Sequence, residues 1–282
     1  IIIHETEYLP YLARLKKESG LKIILNAHEY YPAEFEDNKK WVKIWKPYFE
    51  KVYREYLNKV DLFINVCDSI AEKCKAEFGK DSLVIPNAAL YKELQPSNNI
   101  NRSTIRMIYH GNCNRGRKIE EMIKVAQILG DGYSLDLMFL HKEDEYSRGI
   151  KLLAESTSNV KIIDPVDFDE IVPRINKYDL GIYILAPTNF NNRVALPNKL
   201  FEYIQARLCI AISPGVEMKK IVEKYNLGVV SDDFTGEALA KEISKLTKEN
   251  IYQYKLNAHK VVKQLSAENY NQIFLKAVKE IK

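Results

Sequence analysis

Lys199 and Glu202 stand one helical turn apart in "LPNKLFEYIQARLCIAISPG", residues 196 to 215. Side chains at this spacing share a helix face, where an opposite-charge pair is worth only about 0.2–0.5 kcal/mol. The same two groups could instead be the halves of a ligand site at a helix N-terminus. A lysine meets a phosphate as a point charge, and a carboxylate accepts hydrogen bonds from both members of a vicinal diol. A second stretch, "HGNCNRGRKIEEMI" from His110, offers related chemistry. Gly111 and Gly116 bracket a short loop, and Arg115, Arg117 and Lys118 cluster where a helix begins. Backbone N–H groups and the positive end of the helix dipole favour an anion there; a solvated basic turn has the same composition. The loop is neither G-x-G-x-x-G nor G-x-x-x-x-G-K-[ST], so neither a nicotinamide cofactor nor a P-loop is supported. Two phosphate-competent places and a diol acceptor together describe a nucleotide. Glu202, Lys199, Arg117 and Gly111 are its candidate ligands, with Arg115, Lys118 and Asn198 as further candidates. Val166 and Phe168, after "NVKIID", would flank a base or serve as ordinary loop hydrophobes.

The elements that must position these residues follow from the hydrophobic pattern. Short apolar runs at 22–27, 61–66, 82–86, 105–110, 135–140, 159–163, 179–185, 209–213 and 227–231 read as strands. Amphipathic segments between them, at 7–18, 39–58, 68–78, 117–129, 145–156, 168–177, 197–206, 216–224 and 235–246, read as helices, and two more near 248–264 and 267–281 close the sequence. Nearly continuous apolar strands separated by helices predict parallel sheets covered on both faces, an α/β fold. The alternation pauses at 87–104, a polar stretch without periodicity that reads as a linker or long loop. The expected division is a partial α/β domain at 1–88, a linker at 89–104, a doubly wound domain at 105–265 and a terminal helix at 266–282. The opening "IIIHETEYLP" looks like the end of a buried strand, from which we expect earlier strands to be missing.

Length, 282 residues, suits two domains. Hydrophobic content of 46% and charged content of 28% are those of a soluble globular protein. The net charge of +4 is too mild to argue for a nucleic-acid partner. Cys67, Cys74, Cys113 and Cys209 are scattered, with neither metal-ligand nor disulfide-framework spacing, which fits a reducing cytoplasm. No apolar run approaches the roughly 20 residues of a membrane span.

Five stretches, in order, carry a resemblance to the GT-B glycosyltransferases, specifically the large retaining family 4, or group 1 glycosyltransferases. "LPNKLFEYIQARLCIAISPGVEMKKIVEKYNLGVVSDD" resembles its nucleotide-sugar signature. "NAHEYYPAEF" resembles its H-E segment, "VCDSIAEKCKAEFGKDSLVIPNA" its hinge approach, "YHGNCNRGRKIEEMI" the start of its C-terminal domain, and "ALAKEISKL" with "LSAENYNQIFLKAVKEI" its closing helices. The resemblance implies two Rossmann-like doubly wound domains facing a cleft, the nucleotide on the second, and an N-terminal domain truncated in this sequence. It implies that Glu202 holds the ribose hydroxyls, that Lys199 and Arg117 lie near the diphosphate, and that His28 faces the donor sugar as a catalytic residue. Without the resemblance, His28 is equally a structural histidine. Three positions depart from the pattern. Val194 stands where a second glutamate often reaches the transferred sugar. Asn26 replaces an acidic residue, and His141 replaces a glycine, which would narrow the nucleotide pocket or supply a different base contact.

The implied activity is retaining transfer of a sugar from a UDP- or GDP-linked donor to a glycan or lipid-linked glycan. No cofactor and no metal site is called for, since lysine and arginine can replace a metal at the diphosphate. A GT-B epimerase or phosphorylase, and a non-catalytic nucleotide-sugar-binding protein, are the alternatives. In "DNKKWVKIWKPYFEKVYREYLNK" (37–59), Trp41, Trp45, Phe49, Val52 and Tyr56 recur at helical spacing among lysines and arginines. This reads either as a helix with its apolar face packed inward, or as a peripheral membrane contact at the inner face of the membrane.

Overall fold

The computed structural model describes residues 1–98, 103–139 and 144–281. The chain forms two units: Ile1–Asn87 with Pro187–Leu196 and Asn269–Lys282, and Ala88–Ala186 with Pro197–Glu268.

The first unit is built on a parallel sheet of order β1-β2-β3-β4, with β1 Ile2–Ile3, β2 Ile24–Ala27, β3 Leu62–Asn65 and β4 Leu83–Val84. β1 and β2 pair in register Ile2↔Ile24 and Ile3↔Leu25. The helices α1 (Leu9–Ser19), α2 (Lys39–Tyr56) and α3 (Asp68–Phe78) lie between the strands in sequence. Asn38 caps α2, its side chain accepting from the N–H groups of Lys40 and Trp41 at 3.0 and 3.2 Å. Leu25, Phe49, Tyr53, Phe63 and Ile70 form the core, and Val194, from the distant segment 187–196, is buried among them.

The second unit holds β5 (Ile105–His110), α4 (Ile119–Leu129), β6 (Tyr133–Met138), α5 (Glu145–Glu155), β7 (Val160–Ile163), α6 (Ile171–Ile175) and β8 (Leu180–Tyr183). The short α7 (Phe190–Arg193) belongs to the first unit. There follow α8 (Asn198–Gln205), β9 (Cys209–Ile212), α9 (Val216–Lys224), β10 (Gly228–Val230), α10 (Gly236–Ser244), α11 (Lys248–Val261) and α12 (Ala267–Glu280), the last falling mainly in the first unit.

The six strands pair in parallel in the order β10-β9-β8-β5-β6-β7. The chain winds outward from β5 to β7, returns to lay β8 on the other side of β5, and winds outward again. β5 and β8 therefore neighbour each other at the point where strand order reverses, the place where open α/β sheets bind ligands at their carboxyl ends. Gly181 in β8 fixes what lies above them. A Cβ there would come within 2.5 Å of the Tyr203 ring, so only glycine lets that ring rest on the strand. The Tyr203 hydroxyl then donates within reach of the carbonyls of Ile108 at 3.2 Å and Ile182 at 3.1 Å, seating α8 across both strands.

The sequence reading differs in the extent or course of two stretches, besides missing α7. The helix expected at 168–177 shrinks to Ile171–Ile175 after a 3-10 turn at Phe168–Glu170. The polar stretch 87–104, as far as residue 98, runs along the second unit: Lys92 N–H donates to Gln205 (3.3 Å), and Arg207 donates to the Lys92 carbonyl (2.7 Å). Residues 99–102 and His141 lie outside the described residues.

Candidate functional site

At the β5/β8 junction three elements converge: the end of β5 with its loop, the end of β8, and the first turns of α8. Tyr109 and Tyr183, from the two adjacent strands, stack with ring centroids 6.2 Å apart. The Lys199 ammonium lies 4.9 Å from the centroid of the Tyr109 ring and 4.8 Å from that of Tyr183, a cation held over two aromatic faces. Gly111 makes this possible. Its φ is +129°, and a Cβ there would sit 2.7 Å from Lys199 Nζ. Arg117 arrives from the loop after β5 and donates from Nη1 to the Tyr183 hydroxyl at 2.6 Å. Two cations thus share one tyrosine, and among the described residues neither has a carboxylate within 4.0 Å.

Glu202 has a different neighbour. It is 6% exposed, and its Oε2 lies 3.3 Å from Nε2 of His110, itself 4% exposed. Among the described residues no ion pair within 4.0 Å joins Glu202 to Lys199. Burial pushes the Glu202 carboxyl up, opposed by the Lys199 charge. Burial pulls the Lys199 ammonium down to about 8, with Glu202 opposing and Arg117 assisting. Burial, helped by Lys199, holds His110 well below the usual histidine range, so its imidazole is neutral. The result is a buried carboxylate with one cation a helix turn away on α8 and a second brought in by the loop after β5, neither cation in an ion pair within 4.0 Å among the described residues.

The remaining candidates separate. Asn198 is exposed at the first turn of α8, whose N-terminus has no side-chain cap. Lys118 holds the left-handed conformation (φ 44°) that turns the loop into α4. Arg115 points to the surface, paired with Glu145 at 3.2 Å. Val166 follows β7, two strands outward from β5, on a hollow it shares with Asp167, Glu170, Arg174 and Lys177; Phe168 is exposed. The sequence reading missed His110, Tyr109 and Tyr183. The "YHG" end of β5 could have drawn attention, since a polar ring ending an apolar central strand is unusual.

His28 lies in the first unit, after β2. Its ring stacks on His4 (centroids 5.1 Å apart), with His28 Nε2 and His4 Nδ1 2.9 Å apart. Asn87 Nδ2 lies 3.0 Å from His28 Nδ1, and Asn26 Nδ2 3.4 Å from His4 Nδ1. With both amides donating, His28 carries its proton on Nε2 and donates it to His4, so both ring nitrogens of His28 are engaged. Burial and His4 lower its pKa, while Glu5 and Asn87 raise it. Val194 is buried in the first unit's core, and Cys67 Sγ contacts its carbonyl at 3.5 Å, leaving no room there for a glutamate's charge.

No protein-family profile matches the chain. No curated protein matches it in sequence. Solved structures do match in three dimensions. A variant of S. aureus TarM, in complex with fondaparinux, alpha-GlcNAc-glycerol and UDP, aligns with TM-score 0.73 at 10% identity, over 98% of this chain and 54% of that one. The pneumococcal O-GlcNAc transferase GtfA, in complex with UDP and GlcNAc, aligns with TM-score 0.73 at 16% identity, over 99% and 56%. Anabaena HepE in complex with UDP-glucose aligns with TM-score 0.75 at 12% identity, over 99% and 78%. The chain spans about half the length of TarM and GtfA. Its fold is that of the GT-B glycosyltransferases, two parallel α/β sheets with their helices.

Proposed function

We propose that the protein is a retaining glycosyltransferase that takes a sugar from a nucleotide diphosphate. The observation that carries this reading is the arrangement at the β5/β8 junction: a buried carboxylate, Glu202, beside two cations, Lys199 and Arg117, that lack carboxylate partners. Glu202 accepts from the two ribose hydroxyls. Lys199 and Arg117 take the diphosphate, supplying the positive charge that a metal provides in other sites. UDP is the first choice of nucleotide, because TarM, GtfA and HepE were solved with UDP or UDP-glucose, and GDP is the second. As the bond from the anomeric carbon to the diphosphate breaks, charge builds on the departing oxygen. The two cations and the nearby helix N-terminus stabilise it. The acceptor hydroxyl enters on the same face, and its proton passes to the departing phosphate oxygen, so no protein nucleophile is needed. His28, through the resemblance alone, is placed toward the transferred sugar.

Calorimetric titration with UDP and GDP tests this. Glu202→Gln keeps shape but turns one acceptor into a donor, and hydrogen bonds to a charged group are worth about 1.5–3 kcal/mol. Affinity falls on the order of 10- to 100-fold. Unchanged affinity in the folded variant refutes the site, and binding without turnover on any acceptor favours the non-catalytic alternative.

For the acceptor side we propose a lipid-linked glycan, met at an anionic membrane surface through α2. Ile44, Trp45 and Tyr48 are exposed on this helix, and Phe35 is exposed just before it. Lys46 and Lys51 are paired with Glu50 and Glu55, whereas Lys39, Lys40 and Lys43 are in no ion pair among the described residues. Three unpaired lysines at a helix N-terminus oppose the helix dipole; beside exposed aromatic rings they match an anionic lipid surface. No helix among the described residues is long and apolar enough to cross a membrane.

A further inference from the structure

We infer that His110 is a positioning residue that aims Glu202 at a ribose diol, making the site selective for ribonucleotides over their 2′-deoxy forms. The inference rests on the nucleotide reading above and adds a residue to it.

Glu202 needs such a partner. A carboxylate that must accept from two hydroxyls has to present a fixed oxygen pair, yet among the described residues no aligned hydrogen bond from a protein donor reaches its side chain. The group facing it is the His110 imidazole, 3.3 Å from Oε2. That imidazole is itself immobile. It closes the central strand β5, is 4% exposed, and meets Tyr203 edge-on with ring centroids 5.4 Å apart. Its Nε2 is buried with no aligned hydrogen-bond partner, an uncommon condition for a buried polar atom. A donor that is locked in place, lacks a partner and sits against a carboxylate is spare capacity directed at that carboxylate. Lys199, Arg117 and Tyr203 are the other titratable or charged groups around the pair. Burial, and after it the Lys199 charge, disfavours a second proton on the imidazole and keeps it neutral. A small rotation of the Glu202 carboxylate about its own axis brings Oε2 onto the Nε2–H of the fixed ring; His110 then uses one lone pair of that oxygen and leaves the remaining lone pairs for the diol. His110 does not touch the nucleotide in this scheme; it acts through Glu202.

Two variants separate this from packing. His110→Phe keeps an aromatic ring against Tyr203 but removes the donor. His110→Gln restores an N–H at similar reach. The first measurement needs no ligand: the Glu202 carboxyl is titrated by carbon NMR, assigned with Glu202→Gln. A donor to the carboxylate lowers its pKa, so Glu202 titrates at higher pH in the phenylalanine variant and returns toward wild type in the glutamine variant. The second is calorimetry with UDP and 2′-deoxy-UDP. Wild type prefers UDP, and the preference shrinks on the order of tenfold in His110→Phe, through weaker UDP binding with 2′-deoxy-UDP little changed. Identical Glu202 titration in wild type and folded His110→Phe overturns the inference. So does full retention of the ribose preference. Failure of wild type to bind either nucleotide refutes the nucleotide reading instead, and the carboxyl titration still decides whether His110 positions Glu202.

Discussion

An ammonium group lying over two tyrosine faces, with a guanidinium on one of the same tyrosines, is poised to lose its proton more readily than a surface lysine. Lys199 is held down to about 8, chiefly by burial. A diphosphate brought beside it supplies the missing opposite charge and raises that value, so binding takes up a proton wherever the unliganded lysine has lost one. Below about pH 8 the lysine is already charged and affinity is level in this respect; above it, affinity falls by up to about tenfold per pH unit. On the acid side affinity falls as Glu202 protonates, at a pH above the ordinary carboxylate range because burial has raised it. Titrations with UDP from pH 5 to 9.5 check both limbs, and Lys199→Arg removes the alkaline one. An alkaline limb that survives in the arginine variant places the titrating group elsewhere. These residues were legible in sequence to different degrees. Lys199 and Glu202 announce themselves by a local spacing. Tyr183 and His110 become neighbours of that spacing only because β8 lies against β5, a pairing of residues about 70 apart along the chain that no local pattern encodes.

α2 shows the same limit one scale up. Its helical period was plain, and Phe49 and Val52 do face inward, yet Trp45 is 48% exposed. The period gives a helix an apolar face; how wide that face is compared with what the unit covers depends on tertiary packing. If the uncovered part meets lipid, the three unpaired lysines contribute about 1 kcal/mol each near an anionic surface. Changing Lys39, Lys40 and Lys43 to glutamine then weakens binding to phosphatidylglycerol-containing vesicles by on the order of 100-fold, and high salt does the same. Trp45→Ala weakens binding to those vesicles at all salt concentrations. Equal partition onto neutral and anionic vesicles sinks the proposal, as does self-association through this face in place of vesicle binding. α7 escaped the sequence reading altogether, because four residues among asparagines carry no period.

Across the molecule, chain order and unit membership do not coincide. The segment 187–196 leaves the second unit after β8 and joins the first, as does the later segment Asn269–Lys282. Asn191 is its anchor: its Oδ1 accepts from the Tyr30 N–H at 2.9 Å, and its Nδ2 donates to the Tyr30 carbonyl and to Glu29, each at 3.2 Å. Asn191→Ala strands two buried backbone groups of Tyr30, a loss of about 1–3 kcal/mol for each. Both tryptophans, Trp41 and Trp45, belong to the first unit, so tryptophan fluorescence reports its unfolding alone. The fluorescence-detected melting midpoint drops in the variant while UDP affinity, which the proposed site assigns to the second unit, holds. An unchanged midpoint removes Asn191 as an anchor. The same segment bears on biosynthesis. Asn191 leaves the ribosome 161 residues after Tyr30, the backbone it will bond; at about 5–20 residues per second that is a wait of roughly 8 to 32 seconds. Once β4 has been made, the nascent first unit has its strands but not the amide that satisfies Tyr30, and Val194 is absent from its core. Closure of this part of its core therefore waits for translation past β8, and α12, which also falls mainly in the first unit, is made later still, so a ribosome stalled before Asn191 displays an unfinished first unit.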